Sequence, residues 1–230
     1  MKYILLPGKN PYPEDVLFHQ IAYHFWYNHW FAFFKKHDPK YILNPDDFFR
    51  QDFIGLLADE TTPIAIHLYS IFDITLSYQL NHSYLNYNFS PQFFNALISM
   101  NVRRAMTFEA LLINPLFRKT ETGRSIAPLL FAQGIQLLKS INNVEAMIAP
   151  ARSDIGVAQL AHNCGAITVE HQDLHGIPVS LIVGMKEKLN LNFLSELERQ
   201  RAIRIFNNQQ HTTNLTKEAN ENSKKTASSY

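Results

Sequence analysis

"FEALLINPLFRKTETGRSIAPLL", residues 108–130, runs from an apolar strand pattern through a polar, basic loop into a helical pattern. Between the two lie Arg118, Lys119, Thr120, Thr122, Gly123, Arg124 and Ser125. A helix N-terminus offers free N–H groups and a partial positive charge, so a strand that hands over to a helix through such a loop makes an anion site. Gly123 lets the backbone approach an anion closely or take a positive φ. Pro128 has no N–H to give a helix interior, which favours a helix start a residue or two after position 124.

The strands and helices on either side follow from pattern. "FIGLLADETTPIAIHLYSIFDI" reads as a hairpin with strands near 53–58 and 63–72. "TLSYQL" and "SPQFFNALISMN" read as short helices, the second opened by Ser-Pro. "RRAMTFEALLI" reads as a central strand over 105–113, and the helix after the loop covers about 124–139. "VEAMIAPA" is a further strand, and "SDIGVAQLAHNCG" a helix capped by Ser153 or Asp154 and ended by Gly165. "AITVEHQDLHGIPVSLIVGM" reads as a strand pair, and a charged helix follows from about 186. The tail, "NNQQHTTNLTKEANENSKKTASSY", has almost no apolar content and is expected to be disordered.

Composition narrows the function classes. The chain has 230 residues, 46% of them hydrophobic, and a formal net charge of +1. That is enough apolar material for one good core, with no broad positive field to attract nucleic acid. One cysteine, Cys164, rules out an internal disulfide framework and fits a reducing compartment. "MKYILLPGKNP" is broken by Pro7 and Gly8 before it could serve as a secretion signal, and polar residues interrupt every hydrophobic run, so no membrane span is expected. Cytoplasm is the expected location.

Rings crowd the first hundred residues. "VLFHQIAYHFWYNHWFAFF", residues 16–34, has helical length with aromatic residues on more than one face, as in a core helix or the wall of an apolar pocket. His19, His24 and His29 stand five residues apart, about 140° round a helix, and cannot converge on one ion, so no metal is expected.

From Thr107 to about Gly184 the chain resembles the GNAT superfamily of acyl-CoA-dependent N-acyltransferases. In that family a strand ending near a proline precedes a loop of the form Arg-x-x-Gly-x-Gly and a helix. Here Arg118 opens the loop and Gly123 holds the second glycine position, while Glu121 stands at the first. A second family element, Asn-x-x-Ala-x-x-Leu-Tyr-x-x-x-Gly-Phe, is similar to "DIGVAQLAHNCGA", residues 154–166. Asp154 replaces the asparagine, Leu160 and Gly165 keep their places, and Ala161 stands where a catalytic tyrosine is common.

The resemblance implies an α/β, GNAT-like fold, with a mixed, mostly antiparallel central sheet flanked by helices. It implies one domain over 1–197, divided into an acyl- and acceptor-binding half (1–104) and an acyl-CoA-binding half (105–185), with a helical extension and polar tail over 198–230. Acyl-CoA would be the co-substrate, its pyrophosphate held by Arg118, Lys119, Thr122, Gly123, Arg124 and Ser125, with Leu111, Ile113 and Asp154 completing the donor site. The phosphopantetheine of an acyl carrier protein is the alternative donor. Glu109 would deprotonate the amine through water, or else serve as a strand carboxylate paired with Arg103 or Arg104. His162 is a candidate proton donor, and Cys164 is expected to be packed rather than reactive.

The acceptor implied is a small amine or an amino acid, and the ring-rich N-terminal half suits a sizeable apolar acyl chain or an aromatic acceptor. "FHQIAYHFWYNHW" lacks the arginine-led pattern of acyl-homoserine lactone synthases, which leaves an N-acyl amino acid synthase type of activity. A protein of this fold that binds an acyl thioester without catalysis is the alternative, kept by Ala161 and Glu121.

Overall fold

A computed structural model of the chain describes residues 1–118 and 126–208. The elements are β1 (Lys2–Pro7), α1 (Val16–His37), α2 (Asp46–Phe49), β2 (Phe53–Asp59), β3 (Thr62–Tyr69) and β4 (Ile71–Asp73). Next come α3 (Ser77–Leu80), α4 (Ser83–Asn88), α5 (Pro91–Ser99), β5 (Arg104–Thr107), β6 (Glu109–Ile113) and α6 (Ile126–Ser140). β7 (Ala146–Arg152), α7 (Val157–Asn163), β8 (Ile167–Leu174), β9 (Ile177–Met185) and α8 (Glu196–Asn207) complete the order. Residues 119–125 of the loop and the tail from 209 lie outside the described residues, so the expectations placed on them stand as they were.

The chain forms two compact units. The first takes Met1–Ser70, Glu109–Asn143 and the described residues from Leu194; the second takes Ile71–Phe108 and Val144–Phe193.

The first unit is built on an antiparallel sheet of order β1-β2-β3-β6. β1 was not legible as a strand: "KYILLP" is a short apolar run without alternation, because both of its faces are covered, and Tyr3 to Leu6 are all buried. Ile4, Leu6, Ile54, Leu56, Ile66, Leu68 and Leu112 point to the α1 side and meet Ala22, Phe25, Trp26, Phe34 and Phe48. The rings of α1 therefore divide: Phe25, Trp26 and Phe34 are core, while Tyr23, Tyr27 and Phe31 stack on one another, and Tyr23 on Phe49 of α2, at a half-exposed surface. α6 covers the other face, and α8, opened by a capping box between Ser195 and Glu198, packs on α6 and β1. The charged helix thus begins at Glu196 rather than near 186.

Gly55 shows how tightly the α6 face is filled. A Cβ there would lie 2.2 Å from the Tyr3 hydroxyl and 2.9 Å from the ring carbon that carries it. Gly55→Ala is therefore expected to destabilise the chain by about 1–3 kcal/mol, the usual range for overpacking. Adding Tyr3→Phe should recover part of that loss, read as the shift of the urea midpoint.

The second unit holds a five-stranded sheet of order β4-β5-β7-β9-β8, in which only β5 and β7 run parallel. One face packs Val179, Leu181, Val183, Ala146 and Ile148 against Leu85, Phe89, Phe93, Phe94 and Leu97 of α4, α5 and their flanks. Ser90 caps α5 as expected, its hydroxyl accepting from the Phe93 N–H at 3.0 Å. α7 lies on the other face. Its N-cap is Gly156, at φ +80°, and not Ser153 or Asp154. Those two are held back by the Arg152–Asp154 ion pair and by the Ser153 N–H bonding to Pro178 O, which extends the β7–β9 ladder. Gly165, at φ +99°, ends α7 as expected, and His175 and Gly176 make the two-residue turn of the β8–β9 hairpin.

The strand expected at 105–113 divides at Phe108. The Phe108 N–H still bonds Ile148 O at 2.9 Å in the second unit, whereas Glu109 pairs with Leu68 in the first. β5 is an interior strand of its sheet, and β6 stands at the end of the described order of the other.

Candidate active site

In the first unit β6 carries a bulge. Leu68 opposes Glu109 and Ile66 opposes Leu112, so three steps on β6 match two on β3, and Ala110 takes φ +51° to absorb the extra residue. A bulge re-aims side chains, and this one puts Glu109 and Leu112 on the same α1-facing side.

Glu109 is only 4% exposed, and the groups around it come from α2, the turn after it and the end of β3. Arg50 donates from Nη2 to Oε2 at 2.5 Å and from Nη1 to Oε1 at 3.3 Å. Gln51 Nε2 donates to Oε2 at 3.1 Å and to Asp47 O at 2.7 Å, while its Oε1 accepts from the Ser70 hydroxyl at 2.8 Å. Arg50 also reaches Asp47 Oδ1 and Ser70 Oγ, each at 3.4 Å. The carboxylate is thus fixed in orientation by charge-assisted bonds. Its partner is Arg50, not the Arg103 or Arg104 that neighbour it in sequence: Arg103 bonds Asp73 at 3.0 Å, and the Arg104 N–H bonds Glu145 at 2.6 Å.

The strand then leads to the basic loop. Asn114 anchors the end of β6 through its N–H to Ile64 O at 2.8 Å and its side-chain amide to Pro63 O at 3.0 Å. It also caps the 3-10 turn Pro115–Phe117. Arg118 follows, exposed, its Nε donating to Ile113 O at 3.0 Å. Leu111 and Ile113 are half-buried on β6. Lys119, Thr122, Gly123, Arg124 and Ser125 lie outside the described residues.

On the α6 face of the same sheet a second polar group is sealed in. Tyr3 and Tyr69 bring their hydroxyls to 3.4 Å, and Tyr69 OH meets His67 Nδ1 at 3.2 Å. Burial pushes the His67 imidazole down to about 3 and both phenols well up, so all three stay neutral near pH 7. The only signal in the sequence was alternation, with His67 and Tyr69 falling between Ile66, Leu68 and Ser70.

The remaining candidates lie in the second unit. Asp154 is exposed in the turn after β7 and forms a bidentate pair with Arg152, at 2.6 and 3.0 Å; those bonds hold its carboxyl below the usual range. His162 is exposed on α7, with Nε2 2.8 Å from Thr168 Oγ1. Ala161 is fully buried. Burial pushes the Cys164 thiol up to about 12, and Sγ donates to Leu160 O at 3.0 Å, the behaviour of a packed cysteine. Among the described residues no group of three or more His, Cys, Asp or Glu is placed to hold a metal ion.

No family model and no curated protein matches the sequence. Solved structures do match the fold. A CoA-dependent acyl-homoserine lactone synthase, BjaI, with SAM and isopentyl-CoA, superposes with a TM-score of 0.55 at 9% identity, covering 95% of this chain and 98% of that one. The apo form of a mutant agmatine N-acetyltransferase gives 0.54 at 10% identity, covering 80% of this chain and all of that one, 100%. The chain has a GNAT-like fold. A second CoA-dependent lactone synthase, MesI, gives 0.50 at 6% identity over 90% of this chain and 95% of that one. At such identities the likeness is one of fold: mixed α/β, with mostly antiparallel sheets flanked by helices.

Proposed function

We propose that the chain is an N-acyltransferase that moves an acyl group from an acyl thioester to an amine. The observation that carries this reading is Glu109: a buried carboxylate, oriented by Arg50 and Gln51, at a bulge of the strand that runs into the basic loop, in a chain of GNAT-like fold. In the reaction the amine nitrogen attacks the thioester carbonyl, the C–S bond breaks and a thiolate leaves. Glu109 takes the amine's proton through water.

The donor is acyl-CoA, with acyl carrier protein as the alternative, and Arg118 to Ser125 hold its phosphate. A charge-assisted hydrogen bond supports a prediction here: Arg118→Ala should weaken CoA binding about ten-fold, measured by calorimetry. Equal affinity would remove Arg118 from the donor site.

The acceptor is a small amine or amino acid, giving an N-acyl amino acid product. α2 and the Arg50 that follows it bring a polar group and a ring surface side by side, with Asp47 and Arg50 in the polar network and Phe49 in the half-exposed ring cluster. The cytoplasm is the proposed location; among the described residues no helix is long and apolar enough to cross a membrane.

The test is free-thiol release from a panel of acyl-CoAs, with and without an amine library. Release that depends on an amine supports the acyltransferase. Tight donor binding without release supports a second reading, a non-catalytic acyl-thioester sensor, which the Arg50–Glu109 pair and the buried Ala161 favour.

A further inference from the structure

Gln51, two residues beyond the end of α2, is 0% exposed, and its backbone is held from two sides. The next residue, Asp52, donates its N–H to Tyr69 O at 2.9 Å and accepts from the Gly8 N–H at 3.2 Å. Gly8 itself comes so close that a Cβ there would stand 1.8 Å from Gln51 O. The side chain is thus rooted in packed backbone, and Gln51, Ser70 and Glu109 all belong to the first unit.

The direction of each bond around its amide is forced. Asp47 O is a carbonyl and can only accept, so the group 2.7 Å from it is Nε2. Another N–H of the same nitrogen then meets Glu109 Oε2 at 3.1 Å, and Oε1 accepts from the Ser70 hydroxyl at 2.8 Å. Half a turn of the amide would set its oxygen against Asp47 O and the carboxylate, acceptor against acceptor. Arg50 differs: its long side chain divides its donors among Asp47, Ser70 and Glu109, so it supplies charge more than place.

We propose that Gln51 is the residue that positions Glu109 to take the amine's proton, and that Ser70, 3% exposed, acts through Gln51 by holding its amide; the inference rests on the acyltransferase reading above. Gln51 and Ser70 exchange no proton with the substrate. They fix where the carboxylate stands, and a displacement of about 1 Å at a reacting group costs on the order of a hundred-fold in rate.

The test is a set of double-variant cycles in kcat at saturating amine, with CoA affinity by calorimetry and urea midpoints measured alongside. Gln51→Met keeps the volume and removes all three bonds, and it is expected to lower kcat about ten- to a hundred-fold with CoA affinity unchanged. Ser70→Ala removes one bond to the amide and is expected to lower kcat about three- to ten-fold. Added to Gln51→Met, Ser70→Ala should cost less than about two-fold more, because no amide is left to hold, and neither should add more than about two-fold to Glu109→Gln. Partners that only support the fold would lower the urea midpoint and leave kcat of the folded protein near wild type. That result, or losses in kcat that multiply with Glu109→Gln, would overturn the proposal and leave Glu109 as the base. If Gln51→Met does not fold, the cycle of Ser70→Ala with Glu109→Gln makes the same decision. A wild type that releases no thiol, or Glu109→Gln turning over as fast as wild type, would overturn the reading of Glu109 itself, and this one with it.

Discussion

Glu109→Gln is expected to lower turnover by a factor of about 10² to 10⁴ while leaving donor affinity unchanged, which is the range that general acid–base catalysis supplies. The substitution keeps the shape of the side chain and removes its ability to take a proton. It also disturbs the network, because the amide keeps one acceptor oxygen and puts an N–H₂ group in place of the other, where Arg50 Nη1 donates to Oε1 or Arg50 Nη2 and Gln51 Nε2 donate to Oε2. Losing a hydrogen bond to a charged partner at this 4% exposed position should cost about 1.5–3 kcal/mol of stability. The two effects separate by temperature and by a second variant. Arg50→Met removes the partner and leaves the carboxylate, so it should lower the melting temperature as well but spare more of kcat. Both kcat values are measured at saturating amine, well below the melting transition, with CoA affinity by calorimetry. If Glu109→Gln turns over as fast as wild type there, the Arg50–Glu109 pair is a structural one and the base must be sought elsewhere.

What the sequence disclosed about this site, and what it withheld, follows from the range of the interactions involved. The Ser90 cap, the Gly165 stop and the His175–Gly176 turn are local: each is set by one or two residues whose backbone preference is visible in the chain itself. Glu109 could likewise be picked out, from a carboxylate in an apolar strand leading to a basic loop. Its partner could not. Arg50 lies 59 residues away and meets Glu109 only because β2, which follows Arg50, and β6 both pair with β3, and the bulge at Ala110 turns the carboxylate to the α1 side. The same applies to the division at Phe108. "RAMTFEALLI" is uniformly apolar enough to be one strand, and only the choice of pairing partner, Ile148 for Phe108 and Leu68 for Glu109, splits it.

His67 carries the second large effect, on stability. It is 1% exposed, and burial pushes its imidazole from 6.5 down to about 3. Between those values an unfolded chain binds a proton at His67 and the folded chain does not. Stability therefore falls as pH falls, beginning near 6.5 and continuing to about 3, by about 1.4 kcal/mol for each pH unit. The full window is worth about 5 kcal/mol, comparable to the whole stability of a modest domain. His19, whose imidazole burial also pushes down against the Gly8 carbonyl and Asp15, and carboxylates such as Asp73 and Asp154 add their own acid sensitivity, so the contribution of His67 is read as a difference. His67→Gln serves for this: its amide, which can either donate or accept, can bond the Tyr69 hydroxyl in place of Nδ1, and it does not titrate. Urea unfolding of both proteins from pH 8 to pH 4 should give curves that converge with acid, the variant losing about 1.4 kcal/mol less than wild type for each pH unit below 6. Curves that stay parallel over that range would mean that the folded chain takes up the proton, and that the sealed face of Tyr3, Tyr69 and His67 opens to water before the chain unfolds.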